Sequence, residues 1–159
     1  MVAEGKRDPK VGSSVAADVM TRAVESKDTI KINLVNNDPY VDFDSYFKER
    51  VDVGDLDSVA QGSPELRAAI VVHVIEENIQ ANTIKREQPG LDPMARFNLA
   101  HDRASSTEAT MFGAVSRQEF TGKNSIFLRF VDGQQNVKKE FTVNFETPDA
   151  LTRTPRVVP

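Results

Sequence analysis

The 159-residue chain contains no cysteine. That absence removes disulfides, thiolate metal sites, iron–sulfur clusters and cysteine nucleophiles together. Any metal it binds must be held by His, Asp or Glu. The chain also lacks a run approaching the roughly twenty apolar residues of a membrane span, and its opening, Met1 to Asp8, has no apolar signal-peptide core. It is expected to be cytoplasmic, or exported by a route that uses no cleaved signal. Positive charge is in short supply: 20 Lys and Arg face 24 Asp and Glu, for a formal charge of −4. After the first residues the basic runs are no longer than the pairs Lys85-Arg86 and Lys138-Lys139, so the electrostatic footprint of nucleic-acid binding is missing. No Gly-x-x-x-x-Gly-Lys-Ser/Thr loop, Gly-x-Gly-x-x-Gly turn or Gly-x-Ser-x-Gly elbow occurs. Neither histidine is preceded three residues earlier by Glu, as a di-iron bundle requires.

With 39% hydrophobic and 28% charged residues, the composition is that of one globular domain able to bury a core. The expected organisation is a flexible arm over 1–12, a single α+β domain over 13–147 and an irregular tail over 148–159, where prolines accumulate. Within the domain, Val15 to Val24 has helical apolar spacing and Thr29 to Val35 alternates as a half-buried strand. Ser63, Pro64 and Glu65 open a long helix running to about Arg86. Its middle, Ala68 to Ile75, is apolar nearly all round and therefore central. Pro89-Gly90 breaks it, and Asp92-Pro93 opens a second helix to about Phe112-Gly113. Two alternating strands, 124–131 and 137–145, follow as a hairpin. The expected fold is a small sheet, made of the early strand and the C-terminal hairpin, packed on the two main helices.

Four aspartates, Asp42, Asp44, Asp52 and Asp55, crowd one stretch. Their spacing lacks the alternating ligands, central glycine and terminal glutamate of an EF-hand loop, which leaves turn capping as their expected role.

The two histidines of the chain, His73 and His101, lie one on each main helix. Glu76 and Glu77 follow His73 at i+3 and i+4, and Glu108 lies two turns beyond His101, so each helix presents a His–Glu face. If the helices pack together, four N/O donors converge, a set suited to zinc with a position open for water. The plain alternative is a pair of core histidines, each hydrogen-bonded to a carboxylate.

A buried helix bearing His-x-x-x-Glu, a short linker, then Ala100-His101-Asp102-Arg103-Ala104 with Glu108 resembles the compact zincin-like metallopeptidase domains of bacterial effectors and polymorphic toxins, over roughly residues 60–115. The family pattern is His-Glu-x-x-His, in which the histidines bind zinc and the glutamate activates water. Here Val74 stands in the glutamate's place and Glu77 in that of the second histidine. An inverted motif, with the base directly before the second ligand, would make Glu76 the catalytic base. The resemblance thus implies zinc on His73, Glu77 and Glu108 or His101, with a peptide as substrate. The competing reading is a noncatalytic binding or structural module that contacts a protein partner.

Overall fold

A computed structural model describes residues 9–149 and 152–158. The chain is mixed α+β, with four α-helices and two small sheets among the described residues. In order these are α1 (Pro9–Glu25), β1 (Asn33–Val35), β2 (Asp44–Ser45), a 3-10 turn (Tyr46–Lys48), β3 (Arg50–Asp52), α2 (Val53–Gly62), α3 (Pro64–Glu87), α4 (Pro93–Thr110), β4 (Ser116–Thr121), β5 (Ser125–Val131), β6 (Val137–Asp149) and β7 (Thr152–Val158). No helix is long and apolar enough to cross a membrane, among the residues described.

The two long helices begin where their caps place them. Ser63 Oγ accepts from Leu66 N at 3.1 Å ahead of Pro64. Asp92 Oδ1 accepts from Met94 N at 2.9 Å ahead of Pro93. Each cap satisfies a first-turn donor that the helix leaves unbonded, and proline lacks the donor that would be orphaned at the first position. The short connection folds α4 back antiparallel on α3, so residue 73 meets 108, 77 meets 101 and 80 meets 103. Ala100 and Ala104, both fully buried, put no bulk between the axes. Because α1, α2 and α4 all pack on α3, its nearly continuous apolar stretch is accounted for.

The sheets do not join as expected. β1, β3 and β2 form a three-stranded sheet in that order, whereas β4-β5-β6-β7 is a separate antiparallel sheet. The early strand therefore pairs with Arg50–Asp52 and not with the hairpin. It is also shorter than its alternation suggests, and Leu34 is 70% exposed.

Two terminal assignments are corrected as well. Helix α1 begins at Pro9, within the segment expected to be an arm; residues 1–8 lie outside the described residues. The expected irregular tail contains β7, which pairs antiparallel with β6 and sets Pro155 opposite Phe145. β7 is an edge strand, where a missing N–H costs no ladder bond on the open side. Val157 is buried in the main core with Phe130, Phe141 and Val143. Gly62, at the end of α2, leaves room for it, since a Cβ there would stand 2.9 Å from Val157 Cβ.

A second, smaller cluster of Ala81, Ile84 and Ala100, with Leu91 and Tyr46 against it, closes the other end of the α3–α4 pair. Between the two clusters lies a polar layer.

The turn-capping role expected of the aspartates holds for two of them. Asp52, fully buried, accepts from Gly54 N, Asp55 N and Asn37 N through Oδ1 and from Asp38 N through Oδ2. Asp55 accepts from Phe43 N. Asp52→Ala should strand these four donors around a buried site and lower unfolding free energy by about 3 kcal/mol, read from urea denaturation. A change under about 0.5 kcal/mol, the range of a neutral surface substitution, would contradict this role.

Candidate metal centre

The polar layer is assembled from α3, α4 and β4. From α3 come His73 and Glu77, one helical turn apart and both buried, at 5% and 2% exposure. From α4 come His101, half-buried, and Glu108, with no exposed surface. Arg117 enters from β4.

Three donor atoms face one point. His73 Nε2 lies 3.2 Å from His101 Nδ1, His101 Nδ1 lies 2.9 Å from Glu77 Oε1, and His73 Nε2 lies 3.8 Å from Glu77 Oε1. A tetrahedral ion with bonds of about 2.0–2.1 Å separates its ligand atoms by about 3.4 Å, which falls within this spread. The buried His73, Glu77 and His101 group could therefore hold a metal ion. A cleft of about 260 Å³ opens beside it, lined by Asp44, Ser45, Tyr46, Phe47 and Phe97 together with the three donors.

Glu108 stands behind the cluster. Its Oε2 lies 3.1 Å from His73 Nδ1 and 2.6 Å from Arg117 Nη1. It thus orients the ring so that Nε2 points at the donor set, the way a carboxylate steadies a metal-binding histidine. Glu76 is not brought to the cluster. Buried on another side of α3, it is ion-paired at 2.7 Å with Arg22 of α1 and accepts from Gln80 Nε2. Periodicity places Glu76 and Glu77 on adjoining faces; the packing of α1 and α4 against different sides of α3 decides which one meets the histidines. Two groups escaped sequence reasoning. Arg117 lies in a strand that its single large apolar residue, Phe120, did not reveal. Asp44 was one of four neighbouring aspartates with nothing to distinguish it.

Protonation follows from the contacts. A guanidinium only donates, so Arg117 Nη2, 3.2 Å from His101 Nε2, makes that nitrogen the acceptor. The ring proton then sits on Nδ1 and is donated to Glu77. For a metal to take Nδ1, this proton must shift to Nε2 and Arg117 must turn away. Arg117 Nη2 also donates to Glu119 Oε2 at 2.8 Å, a bond it can keep when it leaves His101. For His73, burial disfavours the charged ring, but its hydrogen bonds to Glu108 and Glu77 prevail and raise its pKa to about 9. Burial pushes Glu77 upward, yet the two histidines hold it below the usual range. Glu108 is likewise held low, against burial, by Arg117 and His73. Asp44 is pushed up to about 6 by burial, with Glu77 adding to the shift and His73, His101 and Arg117 opposing it.

The chain matches no family model, and searches of curated proteins and of solved structures give no match. The chemistry of the centre therefore rests on its geometry.

Two consequences are measurable. Arg117→Met leaves the Glu108 charge buried beside a histidine alone, and should destabilise the chain by about 3 kcal/mol. Arg117→Met with Glu108→Gln should recover most of that loss in urea denaturation; equal instability of the double variant would refute the pairing. Second, a proton and a metal compete for His73 Nε2. Because the folded pKa is raised from 6.5 to about 9, the stabilisation it gives the metal-free chain is complete below pH 6.5 and disappears as pH rises through 9. The thermal midpoint of chelator-treated protein should fall over that window, while affinity for any divalent ion that takes Nε2 should rise about tenfold per pH unit as the proton is displaced. A nitrogen-15 NMR titration placing His73 near 6.5 would contradict both trends.

Proposed function

We propose that the chain is a zinc-dependent hydrolase acting on peptides, a zincin-like metallopeptidase domain in which His73, Glu77 and His101 hold the ion. The observation that carries this reading is the convergence of His73 Nε2, His101 Nδ1 and Glu77 Oε1 beside an open cleft. Two nitrogens and one carboxylate oxygen form the ligand set of catalytic zinc, with a fourth position left for water or substrate. Zinc, when bound, would supply Lewis acidity toward a carbonyl and acidify a water molecule. The protein supplies the orientation: Glu108 fixes His73, and Arg117 neutralises Glu108. The zincin resemblance adds the order of ligands along the chain, His-x-x-x-Glu on a buried helix and the third on the next. It departs at Val74, which cannot accept a proton, and Glu76 does not fill the gap from its place beside Arg22. An effector role rests on the resemblance alone.

Elemental mass spectrometry on protein purified without an affinity tag or chelator tests the reading. Close to one zinc per chain is expected, lost in His73→Ala, together with cleavage of a mixed peptide library that a chelator abolishes. Absence of zinc even after supplementation would remove the hydrolase reading. The cluster would then be a satisfied polar core, and the chain a noncatalytic module that contacts a protein partner.

A further inference from the structure

We propose that Asp44 is the general base of this centre, the group that takes the proton from the attacking water. The inference rests on the zinc reading above and assigns the role that Val74 cannot perform. Four observations single out Asp44.

The other nearby carboxylates are already committed. Glu77 is a donor in the set, Glu76 is held by Arg22 and Gln80, and Glu108 lies behind His73 under Arg117. Of the carboxylates that line the cleft beside the donors, Asp44 is the one outside the donor set.

Its own carboxylate, although half-buried, has no hydrogen bond or ion pair among the described residues; the contacts of Asp44 are made by its backbone, in the pairing with Val51 and in Asp44 N to Asp42 O at 2.7 Å. Asp44 lines the cleft beside the donors, and a carboxylate that no protein group engages is free to hydrogen-bond a water or substrate there.

Asp44 also stands outside the group whose donor atoms all lie within 4.8 Å of one another. A direct ligand would sit about 3.4 Å from the other ligand atoms; a base acts one step farther out, on the water.

Finally, its segment is held firmly. Phe43 before it has φ 62° and Glu49 after it φ 52°, left-handed conformations that are rare for a bulky residue and persist where surrounding contacts over-determine them. Asp55 accepts from Phe43 N, Asp52 N donates to Phe43 O, and the Phe43 ring packs on Phe145. A base must be placed to within a few tenths of an ångström, and rigid support is what such a site requires.

The step balances without another reactant. Asp44 accepts a proton as a water O–H bond breaks and the water oxygen bonds to the substrate carbonyl carbon. Asp44 then passes the proton to the amide nitrogen as the C–N bond breaks, leaving a carboxylic acid and an amine.

The test uses zinc and acetohydroxamic acid, a small chelating acid whose zinc-bound form gains a hydrogen bond where a carboxylate stands beside the ion, on the full chain and its Asp44→Asn and Asp44→Glu variants. Zinc affinity, read by competition with a chromophoric chelator, should change less than about threefold, because Asp44 is not a ligand. Acetohydroxamate affinity for the zinc-loaded protein should fall about ten- to a hundredfold in Asp44→Asn, the loss of one charge-assisted hydrogen bond, with partial recovery in Asp44→Glu. Unchanged acetohydroxamate binding in Asp44→Asn overturns the assignment while leaving the zinc site intact. A large loss of zinc in Asp44→Asn and Asp44→Glu alike makes Asp44 a ligand or a structural residue and also overturns it. Zinc without acetohydroxamate binding in the unaltered chain does the same, and no zinc in that chain removes the underlying reading itself.

Discussion

The fold is organised around the burial of two carboxylates, Glu77 and Glu108, between packed helices. A buried carboxylate is tolerated only where charge and hydrogen bonds compensate its lost hydration. Here the compensation comes from three elements: His73 on the same helix as Glu77, His101 on the antiparallel neighbour and Arg117 on the strand that follows. This requirement fixes the register of α3 against α4, since a shift of one residue would turn a carboxylate toward the apolar clusters on either side. It also ties β4 to the helices, because Arg117 must reach Glu108. The apolar clusters supply most of the burial, and the polar layer between them specifies how the helices align.

The long helices were legible because their signals are local. Ser63-Pro64 and Asp92-Pro93 are cap and first-turn pairs, and Pro89-Gly90 is a break, so neither boundary depends on tertiary context. Strands were legible only where a face is apolar throughout, as in β5 and β6. In β4 the large apolar residue, Phe120, faces outward at 53% exposure, so nothing in its pattern announces a strand. In β7 the prolines argue against pairing, and an edge position, which sequence does not report, removes the objection. Similarly, the alternation of Ile30, Ile32 and Leu34 describes a strand but does not name its partner, which is how one expected sheet became two.

At the candidate site the same division holds between angle and neighbour. Helical spacing gives the angles of His73, Glu76 and Glu77 around α3, about 100° per residue. It does not say that α4 covers the side of Glu77 and α1 the side of Glu76. The difference separates a carboxylate that meets both histidines from one engaged with Arg22. Two-turn spacing puts Glu108 on the His101 face of α4, but only the packing of the helices brings it to His73 Nδ1 and not to Nε2. Asp44 reaches the cleft from a two-residue strand between residues of left-handed backbone, a conformation no propensity would assign to Phe43. Groups on helices were thus foreseeable as a face, while groups carried by short irregular segments were not.

The arrangement places an unusual demand on one atom. His73 Nδ1 is committed to Glu108, so the ring's remaining freedom is the proton on Nε2, held by two carboxylates to about pH 9. A structural histidine gains from keeping that proton, since it neutralises Glu77 and Glu108 with Arg117. A ligand gains from losing it to a divalent ion, which brings more positive charge to the same carboxylate and leaves Glu108 in contact with Nδ1–H. In such a state the His101 proton would move to Nε2, and Arg117 Nη2 would keep its bond to Glu119. The same carboxylates that hold the doubly protonated ring would serve a coordinated one, which is why a proton and a cation would compete for a single nitrogen.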